Sequence, residues 1–177
     1  MRNTVLLIPA LLLSGVAFGQ APVPVPAAAA EPAPAPKPAL RAQYRWGYAG
    51  ADGQGKGVLS VALDPATGRT VLELQGLGER LMLLEGDSAS GYRVRIPRQN
   101  LDEQAATLAA VPLPFFPQLG GPDALYRMLA EGTGSGVKVT SRDAQGPMKL
   151  RYQGADDKGR EVMVWLERTR WELGAGN

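Results

Sequence analysis

Apolar and polar side chains alternate along most of the chain after Leu40, the signature of strands with one buried face. Tyr44, Trp46 and Tyr48 alternate with Gln43, Arg45 and Gly47, Leu72 and Leu74 flank Glu73, and Tyr92, Val94 and Ile96 alternate with Arg93 and Arg95. The pattern returns at Val137 and Val139 around Lys138, and at Met148, Leu150 and Tyr152 around Lys149 and Arg151. Segments 57–64, 80–85 and 160–173 bring the total to about eight strands. Turn-forming runs separate them: Asp52-Gly53, Asp64-Pro65-Ala66-Thr67-Gly68, Gly86-Asp87, Gln145-Gly146-Pro147 and Asp156-Asp157-Lys158-Gly159. Short connections of this kind imply antiparallel order.

The period changes between the fifth and sixth strands. Asn100 with Glu103 three residues on has the form of a capping box ahead of a helix over 104–111, and Pro122-Asp123 opens a second helix that Gly132 closes. Leu125, Met128 and Leu129 give the second helix an apolar stripe. A sheet with one apolar face needs such a cover, because each Å² left wet costs about 25 cal/mol. The expected fold is mainly β with a helical lid: a curved antiparallel sheet or unclosed barrel of about eight strands, covered by two helices, in a single domain over 40–177.

The first 39 residues read differently. Arg2, an apolar run over 5–13 and the small residues of Ala17-Phe18-Gly19 have the form of a secretory signal cleaved after Gly19. The run is interrupted by Pro9 and is short of the roughly 20 residues a membrane span needs. Residues 20–39 are nearly all Ala and Pro, a composition that buries no core and favours an extended spacer.

Composition then removes whole classes of chemistry. The 177 residues contain no His and no Cys, which excludes disulfides, thiolate nucleophiles, imidazole-based triads, Cys/His zinc sites and attachment of a lipid to an N-terminal Cys. The balance of 19 basic and 17 acidic residues argues against nucleic acid as a partner. No cofactor or metal is expected, and no catalytic residues are assigned. Gly50 to Gly57 reads G-A-D-G-Q-G-K-G, but Gly stands where a phosphate-binding loop needs Ser or Thr, and strand-like residues follow. Asp102 with Glu103, and Asp156 with Asp157, are adjacent and diverge, so they suit capping and turns better than acid–base catalysis. Arg93, Arg95, Lys138, Lys149 and Arg151 share the polar side of their strands and give the outer sheet surface a basic bias. Phe115 and Phe116, enclosed by Pro114 and Pro117, suit a plug and a mobile lid over the apolar face.

Four motifs occur in an order similar to that of one known family: Gln75-Gly76-Leu77-Gly78, Val111-Pro112-Leu113-Pro114, Pro147-Met148-Lys149-Leu150 and Arg170-Trp171-Glu172-Leu173. Over roughly 57–173 the chain resembles the LolA/LolB family of periplasmic lipoprotein carriers and outer-membrane lipoprotein receptors. The resemblance implies an unclosed barrel with a helical lid over an apolar cavity that holds acyl chains. It further implies a monomeric, non-enzymatic periplasmic chaperone, possible transient contact with a membrane surface, and an acylated lipoprotein or lipid as partner. The cavity would be lined by Tyr44, Trp46, Leu72, Leu74, Tyr92, Val94, Leu150 and Tyr152, the lid would comprise Phe115, Phe116, Leu125 and Met128, and Leu77 would protrude to pass chains to the membrane. The alternative is a cell-envelope interaction module without lipid cargo, engaging partners through the spacer and the basic sheet surface.

Overall fold

The computed structural model describes residues 36–51, 53–76, 78–111, 120–155 and 159–174, all within one compact unit. The residues of the expected signal, and nearly all of those of the expected spacer, lie outside the described residues. The alternating segments form β1 (Ala39–Gly50), β2 (Gly53–Asp64), β3 (Arg69–Gly76), β4 (Glu79–Asp87), β5 (Gly91–Ile96), β6 (Leu101–Ala105), β7 (Val137–Asp143), β8 (Gly146–Ala155) and β9 (Glu161–Gly174). They make one open sheet of 9 strands in the order β6-β5-β4-β3-β2-β1-β9-β8-β7, and every neighbouring pair is antiparallel. β1 therefore lies inside the sheet, flanked by β2 and by the last strand, while β6 and β7 are its two edges.

The strand beyond the eight expected is β6, which takes up the capping region and the first residues of the helix expected over 104–111. Asn100 does not cap a helix; it takes a left-handed conformation (φ 49°) and closes a 3-10 turn over Pro97–Gln99. Residues Leu101–Ala105 then turn back along β5, with Arg95 opposite Asp102 and Tyr92 opposite Ala105. Asp102 accepts two hydrogen bonds from Arg93 at 2.6 Å. An edge strand that completes its ladder and meets a cross-strand cation outweighs a capping signal, whose net value is about 1 kcal/mol. Further along, Leu108–Ala110 form a second 3-10 turn rather than the end of a helix.

The second expected helix is present and short. α1 (Pro122–Tyr126) continues into a π-helical turn over Arg127–Glu131 that stops at Gly132. Among the described residues one helical segment, not two, covers the sheet. Leu125, Tyr126 and Leu129 are buried in the same cluster as the inner face of the sheet, with Leu108 and Val111 beside them and Met128 packed at the margin. The wider π turn carries Met128 away from the stripe that a uniform helix would align.

This cover reaches its position because β6 and β7 lie at opposite edges. The chain over 106–136 must travel from one edge of the sheet to the other, and its described parts do so over the apolar face. The inner face is continuous: Leu40, Ala42, Tyr44 and Trp46 on β1 meet Leu59, Val61 and Leu63 on β2 and Val164 and Leu166 on β9, all buried. Register shifts at Gln43/Tyr44, Leu74/Gln75 and Val139/Ser141 bend the strands locally.

Candidate functional site

Seven of the eight residues expected to line a cavity, Tyr44, Trp46, Leu72, Leu74, Tyr92, Val94 and Leu150, are buried in one cluster. Tyr152 is half-buried at its margin. Leu125 and Met128 lie over them, while Leu77, Phe115 and Phe116 fall outside the described residues. The common face follows from register: Tyr44 stands opposite Leu59, Leu59 opposite Leu74, and Leu72 opposite Leu84, which in turn stands opposite Val94.

The polar ends of the aromatic residues separate into two kinds. Tyr92 donates from Oη to the carbonyl of Gly68 at 2.9 Å, and Trp46 donates from Nε1 to the carbonyl of Gln75 at 3.0 Å, so both rings are tied to turns or strand ends. Tyr44 is different. It is 0% exposed, yet among the described residues its hydroxyl has no hydrogen-bond partner. Burial pushes the phenol above its ordinary value of 10.0, and the nearby Arg168 only partly opposes this, so Tyr44 stays protonated at neutral pH.

Arg168 was not singled out by the sequence reading, although Val162, Val164, Leu166 and Arg168 share one period-two face. It stands directly opposite Tyr44. Its side chain is 5% exposed, it pairs with Asp143 at the end of β7, and its guanidinium lies 4.8 Å from the Trp171 ring. Thr169 is the extra residue of the bulge: Tyr44 pairs with Arg168, Gln43 pairs with Arg170, and the Thr169 hydroxyl donates to the Gln43 carbonyl at 3.1 Å. That one-residue insertion returns Trp171, opposite Ala42, to the face of Arg168. Arg168 Nη1 and Trp171 Nε1 are also buried without partners among the described residues, like Tyr44 Oη. A buried unmade hydrogen bond costs about 1–3 kcal/mol, so three of them at one place are a concentrated expense in an otherwise apolar face.

The outer face carries charge of both signs. Arg93 pairs with Asp102, Arg95 with Glu85 at 2.5 Å, and Lys149 with Glu167 at 3.2 Å, so three of the five expected basic positions are balanced by neighbours. Lys138 and Arg151 are not paired among the described residues. They begin a row that continues across three further strand positions: Lys138 opposite Arg151, Arg151 opposite Trp165, Trp165 opposite Gly47, and Gly47 opposite Lys56. Trp165 is 43% exposed and lies flat over Gly47, where a Cβ would meet its ring at 1.8 Å. A groove of about 430 Å³ beside it is lined by Trp46, Lys56, Gly76, Leu81, Arg98 and Trp165.

Of the adjacent carboxylates, Asp102 and Glu103 are described and lie side by side on β6. Asp102 is held below its ordinary 3.8 by the Arg93 hydrogen bonds, while Glu103, exposed on the same edge strand, stands opposite Val94 and so points to the other face of the sheet. Asp156 and Asp157 lie outside the described residues. Among the described residues no cluster of Asp and Glu is arranged to hold a metal ion. No protein-family model matches the chain, and no curated protein matches it.

Proposed function

We propose that this protein is a non-enzymatic carrier or chaperone, exported to the periplasm, that holds the acyl chains of a lipoprotein or other lipid between the inner face of the sheet and the α1 cover. The observation that carries this reading is the asymmetry of the cover. A nine-stranded apolar face is shielded, among the described residues, by one short helical segment whose polar moorings are exposed. Lys37 pairs with Asp123 at 3.1 Å and lies 5.6 Å over the Tyr126 ring, and Arg142 Nη2 donates to the Glu131 carbonyl at 2.7 Å. Exposed pairs of this kind hold with at most about 1 kcal/mol each.

The apolar anchors are stronger. Leu125, Tyr126 and Leu129 each gain about 1.5–3 kcal/mol from burial, and an acyl chain gains about 0.8 kcal/mol per methylene. A chain of about twelve carbons thus matches what the cover loses when it moves aside, so exchange of one apolar occupant for another needs no chemical energy. Transfer at a membrane surface would use the row of Lys138, Arg151, Trp165 and Lys56: cations meet anionic headgroups, and an exposed indole suits the interface.

The same row favours the second reading, an envelope interaction module without lipid cargo. Leu74→Glu separates the two. A buried unpaired carboxylate on the inner face costs several kcal/mol, so the variant is expected to lose uptake of a fluorescent fatty acid while circular dichroism reports whether the sheet persists. Normal uptake by a folded Leu74→Glu protein would remove the inner face from the site.

A further inference from the structure

We infer that Tyr44, Arg168 and Trp171 form the seat for the polar end of an acyl ligand, whose carboxylate or ester oxygens accept hydrogen bonds from the three groups. This deepens the carrier reading and rests on it. Tyr44 and Arg168 are cross-strand partners on β1 and β9, and the Thr169 bulge places Trp171 against the same guanidinium at 4.8 Å. Tyr44 is 0% exposed and the Arg168 side chain 5%, so neither group relies on bulk water for its missing partner.

The chemistry of the missing partner follows from what is left over. Asp143 occupies Nη2 of Arg168 and leaves Nη1 free; Trp171 Nε1 can only donate; Tyr44 Oη keeps its proton. Two groups that only donate and a phenol that keeps its proton favour an oxygen acceptor, and the Arg168 cation disfavours an ammonium or a guanidinium head. Asp143 balances the Arg168 charge, so the site accepts either an anionic carboxylate or a neutral ester carbonyl. The surrounding face, Leu40, Ala42, Val61 and Leu166, is apolar and suits the chain that follows such a head.

The test uses the full chain with two fluorescent probes, cis-parinaric acid and its methyl ester, on the wild type and on Tyr44→Phe. The phenyl ring keeps the packing and removes only the hydroxyl. Tyr44→Phe is expected to raise the Kd of at least one probe about tenfold, while its melting temperature equals or exceeds that of the wild type, because a costly unpaired group is gone. Loss for the acid alone identifies a carboxylate; loss for both identifies the carbonyl oxygen they share. Equal binding of both probes by wild type and variant overturns the seat and leaves the carrier reading standing. A melting temperature several degrees below wild type also overturns it, because the hydroxyl would then have a structural partner. Binding of neither probe by the wild type removes the carrier reading and the seat with it.

Discussion

Gly57 stands where a phosphate-binding loop would need a hydroxyl, and the fold explains the glycine. A Cβ there would lie 1.8 Å from the Gln75 carbonyl oxygen and 2.8 Å from Trp46 Nε1, the two atoms that form the hydrogen bond fixing the Trp46 ring. Backbone cannot step aside as a side chain can. Gly57→Ala is therefore expected to destabilise the fold by about 1–3 kcal/mol, read as a lower melting temperature with altered tryptophan fluorescence. A second residue-level expectation concerns acid. The Arg168 hydrogen bond holds the Asp143 carboxyl below its ordinary 3.8. The pair's stabilisation is complete above that ordinary value and is lost as pH falls through the depressed folded-state value. Between about pH 5 and pH 2 the wild type should lose stability more steeply than Asp143→Asn, which has no carboxyl to protonate at that position; parallel curves would show that the pair contributes nothing. Alternation alone was enough to place Tyr44, Trp46, Leu72 and Leu74 on one face. Arg168 occupied the same period but went unread, because the bulge at Thr169 breaks the rhythm just beyond it and hides that Trp171 returns to that face.

Whole elements were legible where pattern and pairing agree. β1, β3, β5 and β8 carry clean alternation, and each has two neighbours to satisfy its backbone. β6 has one neighbour, three consecutive polar residues and a preceding Asn, all of which suit a helix start as well as an edge strand; only the presence of β5 decides it. α1 was found from Pro122 and Gly132, but the π turn over Arg127–Glu131, which sets which residues face inward, has no local sequence signal. If α1 must move for a chain to enter, fixing it should block entry. The absence of any native Cys makes this a clean experiment: Lys37→Cys with Asp123→Cys, bridged by a short bis-maleimide, is expected to lose most probe uptake, while the unbridged double variant keeps it. Unchanged uptake by the bridged protein would mean that the entrance lies elsewhere.

Across the whole molecule, an open antiparallel sheet with a helical cover was legible from strand periodicity and the position of the break in it. The order of the strands was not, because nothing local says that β9 inserts beside β1 and leaves β6 and β7 as opposite edges. That arrangement is what carries the cover across the apolar face, and it is the physical basis for reading the face as a place for cargo. The basic bias expected of the outer surface was legible only in part: Asp102, Glu85 and Glu167 neutralise three of its members, and the row centred on Trp165 emerges only from register. The central claim is that the inner face receives an acyl chain, and native mass spectrometry of the full chain mixed with a long-chain fatty acid tests it most directly. The account predicts one bound fatty acid per protein for the wild type and none for folded Leu74→Glu. A wild-type protein that remains free of ligand at saturating fatty acid would contradict it.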